Sequence, residues 1–197
     1  MPVNSSGVVM GILVGGQAKR LGGVQKALLR PPQASETDAS LLARLLRMGR
    51  AAGLEVVLLG QATLGAAAEG VLQLPDAEPR VGPLGGLASL LAHAGLRPAV
   101  AIACDMPYVT PALLDRLLSE APGATVLAAR DPHGDKWQAM FVRYASREVR
   151  PIVSAALAAG QHSFQQLFAR LPVTELRLAP SEHEALRDWD TPEDMQP

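Results

Sequence analysis

Short apolar runs alternate along this chain with stretches whose leucines recur at helical spacing. Val8–Val14 (VVMGILV) is apolar throughout and ends in glycines, the pattern of a strand buried on both faces. From Leu41 to Ala52, Leu41, Leu42, Leu45 and Leu46 share one helical face, with Arg44, Arg47 and Arg50 on others, and Gly53 is placed to stop that helix. Leu54–Leu59 and Val71–Leu74 read as strands, Pro83–Ala94 as a helix and Ala99–Cys104 (AVAIAC) as another buried strand. Thr110 followed by Pro111 supplies an N-cap and a first helical residue for Ala112–Leu118. Strands are then expected at Ala124–Ala129, Ala139–Arg143 and Val173–Leu178, and helices at Ser146–Ala159 and Ser163–Leu171.

Alternation of this kind predicts an α/β fold: a mostly parallel sheet with helices on both faces. Ligands of such sheets gather outside the carboxyl ends of the strands. Chemistry is therefore to be sought just after Val14, Leu59, Leu74 and Cys104.

Composition narrows the class. The 197 residues suit a single domain spanning 1–197, and 48% hydrophobic with 19% charged residues is ordinary for a core with a solvated shell. A net charge of −1 argues against nucleic acid as a partner. One cysteine excludes an internal disulfide framework, and no Cys/His pair has zinc spacing. The apolar stretch Gly7–Gly16 is too short to span a bilayer and lacks a basic flank, so no membrane role and a cytoplasmic location are expected.

Four segments carry candidate chemistry. Gly15–Lys26 (GGQAKRLGGVQK) combines glycines, whose amides can approach an anion closely, with the cations Lys19, Arg20 and Lys26, a composition suited to a triphosphate. It contains neither Gly-Lys nor G-x-G, so it is neither a P-loop nor a dinucleotide fingerprint; the alternative is a glycine-rich surface turn. In Cys104–Pro111 (CDMPYVTP), Asp105 ends a buried strand and either holds a hard divalent cation or opens a turn. Cys104 reads as a small buried hydrophobe. Arg80–Leu91 (RVGPLGGLASLL) leads a glycine loop into a helix N-terminus, a second place for exposed amides, and Asp76 precedes it as a group for base or ribose recognition or for a turn. Near the end, Asp188–Asp194 (DWDTPED) offers a capped turn or a second acidic group at Asp188 or Asp190. His93, His133, His162 and His183 show no metal spacing, and no serine sits in a nucleophile elbow.

In order along the chain these segments resemble a known family. LVGGQAKRLGGVQKALL is similar to the nucleotidyltransferase signature L-A-G-G-x-S-x-R-M-G-x-x-K. VGPLGGL and CDMPYVTPALL resemble the G-P-L-x-G and C-D-x-P motifs of the molybdenum cofactor guanylyltransferases, and the likeness runs through Lys136–Tyr144 to DTPED. The resemblance implies a three-layer α/β/α sandwich with a Rossmann-like sheet, of the nucleotide-diphospho-sugar transferase type. It implies transfer of GMP from GTP to the terminal phosphate of molybdenum-bearing molybdopterin, with release of pyrophosphate. Matched residue by residue, the nucleotide would contact Leu13, Val14, Gly15, Gly16, Lys26, Asp76 and Asp105. Arg20, Lys26 and Asp105 would be catalytic, and Asp105 would hold Mg²⁺. Molybdoenzyme apoproteins or their chaperones would receive the product.

The chain departs from the family pattern in several places. Gln25 stands where the guanylyltransferases usually carry Asp, Leu59 near the position of a nucleotide-binding Asn, and Val14 in place of a small Ala. Ala139 replaces a Pro, and Asp188 and Asp190 replace Asn. The acids resemble cytidylyltransferases, so the alternatives are a sister enzyme using CTP or another phosphorylated acceptor, and a non-catalytic cofactor-binding paralogue.

Overall fold

The computed structural model describes residues 7–14, 25–31, 38–77, 81–132 and 134–189. Its elements are β1 (Val9–Leu13), α1 (Leu41–Ala51), β2 (Glu55–Leu59), β3 (Gln73–Leu74), α2 (Pro83–Ala94), β4 (Ala99–Ala103), α3 (Pro111–Ser119), β5 (Val126–Arg130), β6 (Trp137–Tyr144), α4 (Ser146–Ala158), α5 (Phe164–Phe168), β7 (Val173–Glu175) and α6 (Pro180–Ala185). Short 3₁₀ turns occupy Lys26–Leu28 and Gly65–Ala68.

The strands form a seven-stranded sheet in the order β3-β2-β1-β4-β6-β5-β7. All its pairings are parallel except those of β6, which runs antiparallel to both β4 and β5. The reversal has a local cause: only Asp131–Lys136 joins β5 to β6, too few residues for the crossover that a parallel pair needs. The Asp131 amide donates to the Lys136 carbonyl (2.9 Å), closing the hairpin.

Helices cover both faces of the sheet. On one face, Leu42, Leu45 and Leu46 of α1 and Leu113, Leu114 and Leu117 of α3 pack on Met10, Ile12, Val100 and Ile102. On the other, Leu84, Leu87 and Leu91 of α2, Val149 and Val153 of α4, and Phe164 and Leu167 of α5 pack on Val57, Ala101, Val126 and Val142. Alternation of the side chains along each strand divides the core in this way. This is the expected three-layer sandwich.

Local signals end the helices where the sequence places them. The Thr110 hydroxyl accepts from the Leu113 amide (3.2 Å) with Pro111 at the first helical position. Gly53, at φ +72°, lies just beyond α1 in the left-handed region that glycine occupies without strain. Among the described residues no helix is long and apolar enough to cross a membrane.

The chain runs from β1 outward through β2 to β3, then returns by α2 to β4 on the other side of β1. The crevice outside the carboxyl ends of β1 and β4 is thus the switch point of the sheet, where α/β proteins bind ligands.

Candidate active site

Hydrogen bonding continues past the strand ends and brings the predicted residues to one edge. The Val14 amide donates to the Leu59 carbonyl (3.1 Å), and the Cys104 amide donates to the Leu13 carbonyl (3.1 Å). Asp105 follows directly. Its carboxylate Oδ2 accepts from Lys26 Nζ at 2.8 Å, and each side chain is 18% exposed. Lys26 reaches it from the 3₁₀ turn, which is anchored by buried Ala27 and by the Leu41 amide donating to the Leu29 carbonyl (2.8 Å). An ammonium and a carboxylate are therefore paired at the mouth of the crevice, where an anionic ligand would meet the first and a cation the second.

Asp76 stands on the other flank of β1. Two bonds fix its backbone: Ser89 Oγ donates to the Pro75 carbonyl (2.6 Å), and the Ala77 amide donates to the Gly85 carbonyl (3.3 Å). Its side chain faces the first turn of α2. A Cβ on Gly86 would stand 3.4 Å from Asp76 Oδ1, 3.4 Å from Leu13 Cδ2 and 3.3 Å from Leu59 Cβ. Gly86 thus lets Leu13, Leu59 and Asp76 converge at the start of α2. Desolvation raises the Asp76 carboxyl above its ordinary value.

A C-terminal strap crosses the Asp105 loop. The Trp189 amide donates to the Asp105 carbonyl (2.9 Å), and its indole is buried with Nε1 lacking a partner among the described residues. Arg187 Nη2 donates to the Tyr108 hydroxyl (3.2 Å), and its guanidinium lies 5.1 Å from the centre of the Tyr108 ring. Gln138 of β6 donates to the Leu186 carbonyl (3.4 Å). Upstream, Arg116 of α3 makes two bonds to the Glu182 carboxylate (2.5 and 2.6 Å) and one to the Arg177 carbonyl (2.8 Å), holding α6 in place. From the other side, Arg44 of α1 donates to the Val109 carbonyl (2.5 Å). The loop bearing Asp105 is held from α1, α3 and the strap together.

Comparison with known proteins gives the family and the fold. The family model of the MobA-like NTP transferase domain matches residues 10–175. The chain belongs to that family, and is a nucleotidyltransferase. A molybdenum cofactor guanylyltransferase of Pseudomonas putida KT2440 is 33% identical over 189 residues, 94% of each chain. A probable molybdenum cofactor guanylyltransferase of Pelotomaculum thermopropionicum is 28% identical over 72% of this chain, which spans 65% of that protein's length. The crystal structure of molybdopterin-guanine dinucleotide biosynthesis protein A from Archaeoglobus fulgidus shares the fold, with a TM-score of 0.73 and 22% identity over 94% of both chains.

Of the residues the family resemblance assigned, Leu13, Val14, Lys26, Asp76 and Asp105 all lie at this edge of the sheet. Gly15, Gly16, Arg20 and Asp190 lie outside the described residues. Of the departures, Leu59 and Val14 are buried where β1 and β2 end, and the buried Gln25 Oε1 has no partner among the described residues. Arg187, Tyr108 and Trp189 were not among the sequence candidates. Their meeting with the Asp105 loop joins segments about 80 residues apart, which no local pattern reports.

Proposed function

We propose that this protein transfers GMP from GTP to the terminal phosphate of molybdenum-bearing molybdopterin, in the cytoplasm. The observation that carries the reading is the Lys26–Asp105 pair at the switch point, in a chain whose relative at 33% identity is a molybdenum cofactor guanylyltransferase. A phosphate oxygen of the acceptor attacks the α-phosphorus of GTP and forms the new P–O bond. The bond from that phosphorus to the bridging oxygen breaks, and pyrophosphate leaves with the electron pair. The attacking group is already anionic, so no general base is required. The site supplies alignment and charge neutralisation.

Lys26 neutralises the triphosphate, exchanging its carboxylate partner for phosphate oxygens. Asp76, Leu13 and Val14 flank the nucleoside, with Gly86 leaving the space between them. Arg20 and the amides of Gly15 and Gly16 are assigned to the phosphates by the signature they match. The residues also fit Mg²⁺: Asp105 presents a hard carboxylate whose Oδ1 has no donor among the described residues, and magnesium binds through one or two carboxylates plus substrate phosphates. Bound there, the ion would neutralise charge developing on the phosphates and lower the transition-state energy. The product would pass to molybdoenzyme apoproteins or their chaperones.

The nucleotide assignment is tested by melting the protein with Mg²⁺ and each of GTP, CTP, ATP and UTP. Ligands that bind the folded state raise its melting temperature. The largest rise is expected with GTP; a larger rise with CTP would move the protein to the cytidylyl reading, which Asp188 and Asp190 favour.

A further inference from the structure

We infer that the cavity beyond the carboxyl ends of β5 and β7 holds the pterin ring of the acceptor. The inference rests on the nucleotidyl-transfer reading above and adds to it a subsite for the second substrate. The cavity has a volume of about 550 Å³, within the range of small-molecule sites. Arg130 and Asp131 line it from the β5–β6 hairpin, Glu175 and Arg177 from the end of β7, and His183 from α6. Because β6 runs antiparallel to both its neighbours, β5 and β7 end at the same edge of the sheet as β4. Neighbouring strands lie about 4.8 Å apart, so in the order β4-β6-β5-β7 the cavity stands about 10–14 Å along that edge from the end of β4. Asp105 follows that end, and one strap serves both places: His183 lines the cavity and Trp189 bonds to Asp105. Molybdopterin carries its phosphate and the amino end of its pterin on opposite sides of a three-ring body. With the phosphate at the reacting centre, the far end of such a molecule reaches along the edge to the cavity.

The lining suits that far end. A pterin edge sets a ring carbonyl beside an N–H and an amino group, which calls for a donor next to a carboxylate. Arg130 with Asp131, and Arg177 with Glu175, each supply that combination. The Arg130 guanidinium lies 3.6 Å from the centre of the Trp137 ring, a stacking that fixes its plane. Asp131 Oδ1 accepts from the Asp135 amide (3.0 Å), which fixes the carboxylate. Among the described residues neither Arg130 nor Arg177 is ion-paired, although two carboxylates share the cavity with them. Two acids beside two arginines favour a ring with both donors and acceptors over a simple anion, which the acids repel.

The test is steady-state kinetics with GTP, Mg²⁺ and molybdenum-loaded molybdopterin for wild type, E175Q, D131N and R130A. Calorimetric GTP binding and melting temperature are recorded beside it. Each variant is expected to raise the acceptor KM at least fivefold, with GTP affinity within twofold and melting temperature unchanged. A smaller rise in all three would overturn the inference. So would a loss of GTP affinity matching the loss of acceptor, which would put guanine, whose edge carries the same groups, in the cavity. Hydroxymethylpterin, whose fluorescence reports binding without any transfer, is titrated into the same proteins under saturating GTP. Saturable binding that is at least fivefold weaker in E175Q supports the site; no binding, or equal binding, overturns it. If wild-type protein binds this pterin through Glu175 yet turns over no molybdopterin, the proposed function falls and the pterin site stands.

Discussion

Lys26 Nζ and Asp105 Oδ2 lie 2.8 Å apart although 79 positions separate them in the chain. The contact joins the end of the glycine-rich signature to the end of β4, so two motifs that are unrelated in sequence form one electrostatic unit. Replacing either residue by alanine is expected to lower turnover at least tenfold, about 1.4 kcal/mol of barrier. Pyrophosphate release under saturating GTP measures it, with melting temperature recorded in parallel. Undiminished turnover in a folded variant would remove that residue from the mechanism.

Gly86→Ala should separate binding from folding. The added methyl meets Leu59, Asp76 and Leu13 at 3.3–3.4 Å, so these neighbours must give by a few tenths of an ångström. Helix propensity favours alanine over glycine by about 1 kcal/mol, which offsets much of the crowding. The variant is expected to unfold within about 1 kcal/mol of wild type while binding GTP several-fold more weakly by calorimetry. Unchanged affinity would place the nucleoside elsewhere.

A buried arginine closes α3. Arg143 of β6 donates from Nη1 to the Leu117 and Leu118 carbonyls (both 2.8 Å), and from Nη2 to the carbonyls of Glu120 (2.8 Å) and Ala121 (2.5 Å). Ala121 sits at φ +43°, the one non-glycine residue with positive φ among those described. Arg143→Met removes the guanidinium from these carbonyls, of which Ala121 keeps the Ala124 amide as a donor, and should destabilise the fold by about 2–4 kcal/mol in urea. A loss below about 1 kcal/mol would show that water replaces the guanidinium.

Acid should loosen α6 through Glu182. Hydrogen bonds from Arg116 and from the Ala179 amide hold this carboxyl below its ordinary value of 4.5. A depressed folded value contributes stability that is complete above pH 4.5 and lost as the pH falls through the folded pKa. The slope of melting temperature against pH below 4.5 should therefore be shallower in Glu182→Gln than in wild type. Identical slopes would show that the pair contributes nothing measurable.

Cys104 should be inert. Burial, with the adjacent Asp105 charge adding to it, pushes its thiol up to about 12, and the residue is 8% exposed. Iodoacetamide at pH 8 is expected to leave native protein unmodified and active, and to alkylate it fully in denaturant. Rapid alkylation of the native form would show an open β4 end.

Much of this was legible because local causes fixed it. Thr110 with Pro111 starts α3, and the leucine spacing of Pro83–Ala94 matches α2 from end to end. Apolar runs outlast the strands by two or three residues: the strand expected at Val71–Leu74 pairs only over Gln73–Leu74, and that at Val173–Leu178 only over Val173–Glu175. At these sheet edges apolar residues continue beyond the paired strand: Leu176, whose amide still donates to the Ala128 carbonyl (2.9 Å), is buried just past β7. The helix of Ser163–Leu171 shortens to Phe164–Phe168, and β6 extends to Trp137, whose amide and carbonyl both bond to Gln165. The short α6 gave no periodic signal; it is held by Arg116, a long-range partner. The same reason hid the strap over Asp105.

The central claim, guanylyl transfer at the Lys26–Asp105 site, is tested most directly by pyrophosphate release. The assay supplies Mg²⁺, molybdenum-loaded molybdopterin and each nucleoside triphosphate in turn. Release with GTP alone, abolished in Asp105→Ala, is the predicted result. Release with CTP in place of GTP, or none with any of the four, would contradict it.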